Sequence, residues 1–178
     1  NDRVLKKMHR ATSKEQIQSI IQKLRTTVQD VTIRTSLIVG FPSETDEEFE
    51  ELLNFVKEWK LDNVGVFKYS NEEGSTAYTL PDQIEENIKE ERYQRLMEAQ
   101  SIAQEERQKR YIGQTIDVFV EGYHPETDML MIGRHKGQCP DIDGFVIIND
   151  GRKVKAFGKR YQVIISEVAG YDLIGQVL

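Results

Sequence analysis

The chain has 178 residues, 38% of them apolar and 30% charged, with a formal net charge of -6. That acidic balance argues against nonspecific nucleic-acid binding, because phosphates repel it, and it favours a basic partner. A single cysteine, Cys139, excludes an intrachain disulfide and suits a reducing, cytoplasmic setting, while no apolar run is long enough to span a bilayer and no signal peptide opens the chain.

The opening "NDRVLKKMHR" lacks an initiator Met and reads like the interior of an element, so the chain is expected to be a piece of a longer protein. Ser13 with Gln16 forms a capping box, and Ile17, Ile20, Ile21, Leu24 and Val28 recur at helical spacing, which predicts a helix from Ser13 to about Gln29. Asp30 breaks it. Val31 to Val39 is β-branched and predicts a strand buried on both faces at its far end. Gly40-Phe41-Pro42 closes that strand, and Thr45 with Glu48 forms a second capping box. Phe49, Leu52, Leu53, Val56 and Trp59 then mark one helix face. Asp46, Glu47 and Glu48 suit the positive end of that helix dipole, so most of the acid cluster is explained by the helix start. Asn63 to Tyr69 is the next strand, and the alternation indicates parallel βαβ units.

Residues 83 to about 111 are rich in Glu, Gln, Arg and Ala, with a thin stripe of Ile84, Ile88, Leu96, Ala99 and Ala103. They predict one long, mostly exposed helix bridging two domains. Beyond Gly113 the period becomes two. Ile116 to Val120, Met129 to Ile132, Phe145 to Ile148, Tyr161 to Val168 and Leu173 to Leu178 predict a small antiparallel barrel of five strands.

The residues that could carry chemistry are few. Ligands of parallel α/β sheets bind beyond the strands' carboxyl ends, which makes the Gly40 turn a candidate, although an ordinary connecting loop explains it too. Arg34, mid-strand, needs an anionic partner only if it points inward, and Arg10 reads as a surface residue. His9, His124 and His135 lack metal-ligand spacing, and Cys139 stands alone. No nucleophile–base pair is evident. "PDIDGFVII" reads as a turn entering a strand, or as an acidic lip able to grip a basic protein tail.

Several motifs occur together and in order: "LKKMHR", "RTSLIVGFPSETDEEFEELLNFV", "GVFKYSNEEGSTA", the long helix and "CPDIDG". In this combination the chain resembles the radical S-adenosylmethionine methylthiotransferases over nearly its whole length. The resemblance implies the second half of an open radical SAM (βα) barrel over residues 1–83. It implies a connecting helix over 84–111 and a five-stranded TRAM β-barrel over 112–178. "YSNEEGS", with Glu72 and Glu73, matches the branch that methylthiolates an aspartate of a small-subunit ribosomal protein. tRNA-modifying relatives carry an Arg after "YS". Ile38, Val39 and Gly40 would then meet the adenine of S-adenosylmethionine, with Phe67 and Tyr69 beside the site. Arg10 and Arg34 would reach the cofactor's polar groups, and Asp141 and Asp143 would meet the protein substrate. Ser43 and Ser75 depart from the family's usual Gly and Thr, with little effect expected from such small residues.

The family's two [4Fe-4S] clusters need cysteines this chain lacks. No catalytic or metal-binding residue is therefore expected here, and the chain alone is expected to be inactive. The full enzyme is expected to be a monomer. A tRNA methylthiotransferase of the same superfamily is the alternative within enzymes; a noncatalytic TRAM binding module is the alternative outside them. The tRNA reading calls for a basic barrel surface. Past Arg110, 7 Lys and Arg against 9 Asp and Glu speak against one. The half barrel is expected to be marginal alone, since its Val31 to Val39 strand keeps an open edge.

Overall fold

A computed structural model describes all 178 residues, which form two compact units, residues 1–103 and 104–178. In the first unit, α1 (Asp2–Lys7) and α2 (Lys14–Thr27) precede β1 (Arg34–Val39), α3 (Asp46–Trp59) and β2 (Asn63–Lys68). A single 3-10 turn, Thr76–Thr79, leads to α4 (Glu86–Gln108), which runs on into the second unit. Both capping boxes form as the sequence requires, Ser13 with Gln16 and Thr45 with Glu48.

β1 and β2 are parallel and make a two-stranded sheet, with Ile38 beside Phe67 in the register. That is fewer strands than half of a six-stranded barrel, because residues before Arg34 form helices and those after Lys68 form turns. One sheet face is covered. Val39 and Val66 pack with Phe49, Leu53 and Val56 of α3 and with Leu96, Ala99 and Ala103 of α4. Burial of each Val, Leu or Phe side chain among these contributes about 1.5–3 kcal/mol, and of each Ala methyl less than about 1 kcal/mol.

The other face is bare. Arg34, Ser36 and Ile38 alternate on it, and Ile38 is 38% exposed and Phe67 57% exposed. The far end of β1 is thus buried on one face only, not on both. α4 also differs from the expected exposed bridge. Lys89, Arg92, Leu96, Ala99, Gln100, Ala103 and Gln104 are all buried, so polar residues extend its inward face beyond the thin apolar stripe.

In the second unit, a short 3-10 turn (Lys109–Tyr111) precedes five strands: β3 (Thr115–His124), β4 (Thr127–His135), β5 (Val146–Asp150), β6 (Lys159–Ala169) and β7 (Asp172–Val177). They close in the order β3-β4-β5-β7-β6. The barrel is not wholly antiparallel, since β5 and β7 run parallel. The chain leaves β5, crosses to pair β6 with β3, and returns as β7 beside β5. Alternate residues Val118, Val120, Val146, Ile148, Val163, Ile165 and Leu173 fill the interior, joined by Tyr111.

So small a barrel crowds its walls. A side chain at Gly175 would run into the Ile164 carbonyl and one at Gly133 into the Phe119 carbonyl, whereas Gly122 faces open space. Gly175→Ala is expected to destabilise the chain by about 1–3 kcal/mol in urea melts, and Gly122→Ala to stay within about 0.5 kcal/mol of the parent.

Candidate functional site

The turn after β1 is held from inside the fold. Gly40 adopts φ +75, a left-handed conformation open to glycine. Its N–H donates to Glu44 Oε1 at 3.0 Å, and the Glu44 N–H donates to the Phe41 carbonyl at 2.9 Å. Glu44 is only 6% exposed, and Arg92 of α4 meets its carboxylate at 2.7 Å. The second terminal nitrogen of Arg92 holds Asp46 at 2.7 Å in the first turn of α3. One guanidinium thus ties β1's end, α3's start and α4 together.

Burial pushes the Glu44 carboxyl above its ordinary value, against the opposing pull of the Gly40 N–H and Arg92. Arg3 of α1 donates to the Ser43 carbonyl at 2.6 Å and pairs with Glu48, holding that carboxyl below its usual range. Lys7 donates to the Ser43 hydroxyl. Ser43 sits at φ +64, where glycine is unstrained, so a serine here carries a backbone cost that side-chain size alone does not reveal.

Five of the candidate residues meet at one place. Ile38 and Phe67 lie side by side on the bare face, Val39 is fully buried below them, and Gly40 follows. The Tyr69 N–H donates to the Val39 carbonyl at 2.9 Å, and the Tyr69 ring meets Phe41 edge-on at 5.2 Å. This is the carboxyl end of both parallel strands, where such sheets bind ligands.

Arg34 is not there. It opens β1, five residues upstream of Val39, and at about 3.3 Å per residue lies roughly 16 Å along the strand. Arg10 is exposed in the turn after α1, where its N–H donates to the Leu5 carbonyl. Asp141 and Asp143 lie in the loop between β4 and β5. Asp143 accepts the Cys139 N–H at 2.6 Å and so serves the loop's own shape, while Asp141 is exposed at φ +60. No group of three or more His, Cys, Asp or Glu is arranged to hold a metal ion.

Sequence reasoning missed Glu44, Lys89 and Arg92. Glu44 was masked by the acid cluster of the helix start, and the two cations by the high charge of α4. A further feature is local: residues 151–160 carry five of the barrel's cations and no acid, and Arg152, Lys153, Lys155, Lys159 and Arg160 are all exposed.

Residues 112–178 match the TRAM domain family. The whole chain is 61% identical to the Protochlamydia amoebophila protein named "Ribosomal protein uS12 methylthiotransferase RimO", covering 100% of this chain and 38% of that relative. The chain is homologous to the RimO methylthiotransferases. Proteins of that name from Chlamydia felis and Bdellovibrio bacteriovorus are 47% and 45% identical, again over all 178 residues and over 39% and 38% of their own lengths. The chain therefore spans less than two fifths of the RimO relatives it matches, and the match falls in their C-terminal part.

Arg92→Met would leave the Glu44 carboxylate buried without its partner, at a cost of about 3–5 kcal/mol near neutral pH. A carboxyl whose folded pKa lies above its unfolded one loses stability as pH rises between the two values. The variant's deficit in urea melts is thus expected to shrink on acidification, as Glu44 protonates; a deficit independent of pH would contradict this role of Arg92.

Proposed function

We propose that the chain is the C-terminal part of a ribosomal protein uS12 aspartate methylthiotransferase of the radical S-adenosylmethionine type. The observation that carries the reading is similarity along all 178 residues to the C-terminal part of uS12 methylthiotransferases, joined to an open apolar ledge at the carboxyl ends of two parallel strands. On this reading the bare face of β1 and β2 is the inner wall of a barrel whose other strands lie elsewhere in the full protein.

The ledge fits S-adenosylmethionine. Ile38 and Phe67 offer adjacent apolar side chains for the adenine, and the glycine at position 40 leaves room for the Lys89 stem beside the turn that follows. When bound, the cofactor supplies the hydrogen-abstracting radical and the methyl group. The chain's own residues seat it: Ile38 and Phe67 exclude water from the ring, and the Glu44–Arg92 pair fixes the turn beside it. Iron–sulfur clusters do not fit the residues present, because Cys139 is the only cysteine and lies in a barrel loop. No step of cluster chemistry is assigned to this chain.

The barrel would hold the protein substrate. Asp141 and the neighbouring Ile142, which is 73% exposed, form an acidic and apolar lip suited to a basic ribosomal protein. A second reading, a tRNA-modifying enzyme of the same superfamily, draws on the exposed cations of residues 151–160. Calorimetry of the full-length protein with uS12 and with tRNA at moderate salt separates the two. Binding to uS12 alone, weakened by Asp141→Lys, is expected; preference for tRNA would favour the second reading.

A further inference from the structure

Lys89 is a buried cation whose contacts leave hydrogen-bonding capacity unused. It lies in the first turn of α4, is 7% exposed, and its stem lies against Gly40 so closely that a Cβ there would collide with its Cγ. Its ammonium stands 5.5 Å from the centre of the Tyr69 ring. The one carboxylate it reaches is Glu86, at 3.7 Å, beyond hydrogen-bond distance. Glu86 is itself exposed, and its other oxygen holds Lys68 at 2.6 Å. An ammonium has three donors, and burying it without acceptors is unfavourable.

Other cations near the turn are committed. Arg92 is consumed by Glu44 and Asp46, and Lys68 by Glu86 and Glu90. Arg34 lies at the opposite end of β1. Lys7 also reaches the turn, at the Ser43 hydroxyl, but it is exposed; Lys89 is the buried cation at the carboxyl end of the strands with donors to spare. We infer that the Lys89 ammonium binds the anionic group of the ligand seated at Gly40. Taking that ligand as S-adenosylmethionine, on which this inference rests, the group is the carboxylate of the methionine moiety, the cofactor's one anion. Lys89 then acts as a binding residue and takes no part in bond making. The glycine at position 40 serves the same end, since its missing side chain is the space through which the lysine stem passes.

The test is equilibrium binding to the cluster-loaded full-length protein, with S-adenosylmethionine and with 5′-methylthioadenosine, which lacks the amino-acid portion. Lys89→Met keeps the stem over Gly40 and removes the charge, and Lys89→Gln serves if the Met variant does not fold. Affinity for S-adenosylmethionine is expected to fall by about tenfold or more, with 5′-methylthioadenosine unchanged. Lys89→Arg, which keeps the charge, is expected to retain most of the affinity. Equal loss for both ligands would assign Lys89 a purely structural role and overturn the inference, as would no loss for either. If the parent protein binds neither ligand, the cofactor reading of the ledge fails first and the inference with it.

Discussion

The first unit depends on a single buried ion pair. Glu44 and Arg92 join the turn after β1 to α4, and the same guanidinium reaches Asp46 at the start of α3. Removing two charges from water is costly, and their attraction offsets that cost only where geometry is good and the remaining oxygens are occupied. Here the Gly40 N–H and Arg92 share one carboxylate oxygen, Glu44 Oε1. The pair is therefore better understood as a device for position than as a source of stability. It fixes the left-handed turn at Gly40, and through it the height of the Ile38 and Phe67 ledge above the strand ends.

Much of this fold was legible in the sequence. Capping boxes announce α2 and α3 because a hydroxyl and a carboxylate or amide three residues apart satisfy each other's orphan donors. The barrel strands show in the alternation of Val118 and Val120 with polar neighbours, and the close of β1 shows in Gly40-Phe41-Pro42. What hid was chemistry that depends on tertiary contact. Lys89 and Arg92 sit in a helix whose charge reads as solvated, yet both are buried. Arg34 opens β1 instead of lying mid-strand, and a strand puts its five residues of separation from Val39 at roughly 16 Å. The parallel pairing of β5 and β7 is invisible to local patterning, since it follows from the order in which the barrel closes.

Net charge describes the barrel part only on average. The acidic total of the barrel part suggested a surface hostile to phosphate, but averages do not describe patches. Five exposed cations gather in residues 151–160, and Asp143, expected to meet the substrate, also accepts the Cys139 N–H in its own loop. A partner meets the local field within a Debye length, about 8–10 Å at physiological salt, so the distribution outweighs the sum.

The central claim is that the carboxyl ends of β1 and β2 form a wall of the cofactor site in the full-length protein. Hydrogen exchange of that protein, with and without S-adenosylmethionine, tests it most directly. The account predicts that the cofactor slows exchange at the amides of residues 39–44 and 67–69 while leaving the loop around Asp141 unchanged. Protection confined to other parts of the protein, with these two segments exchanging at their original rates, would contradict it.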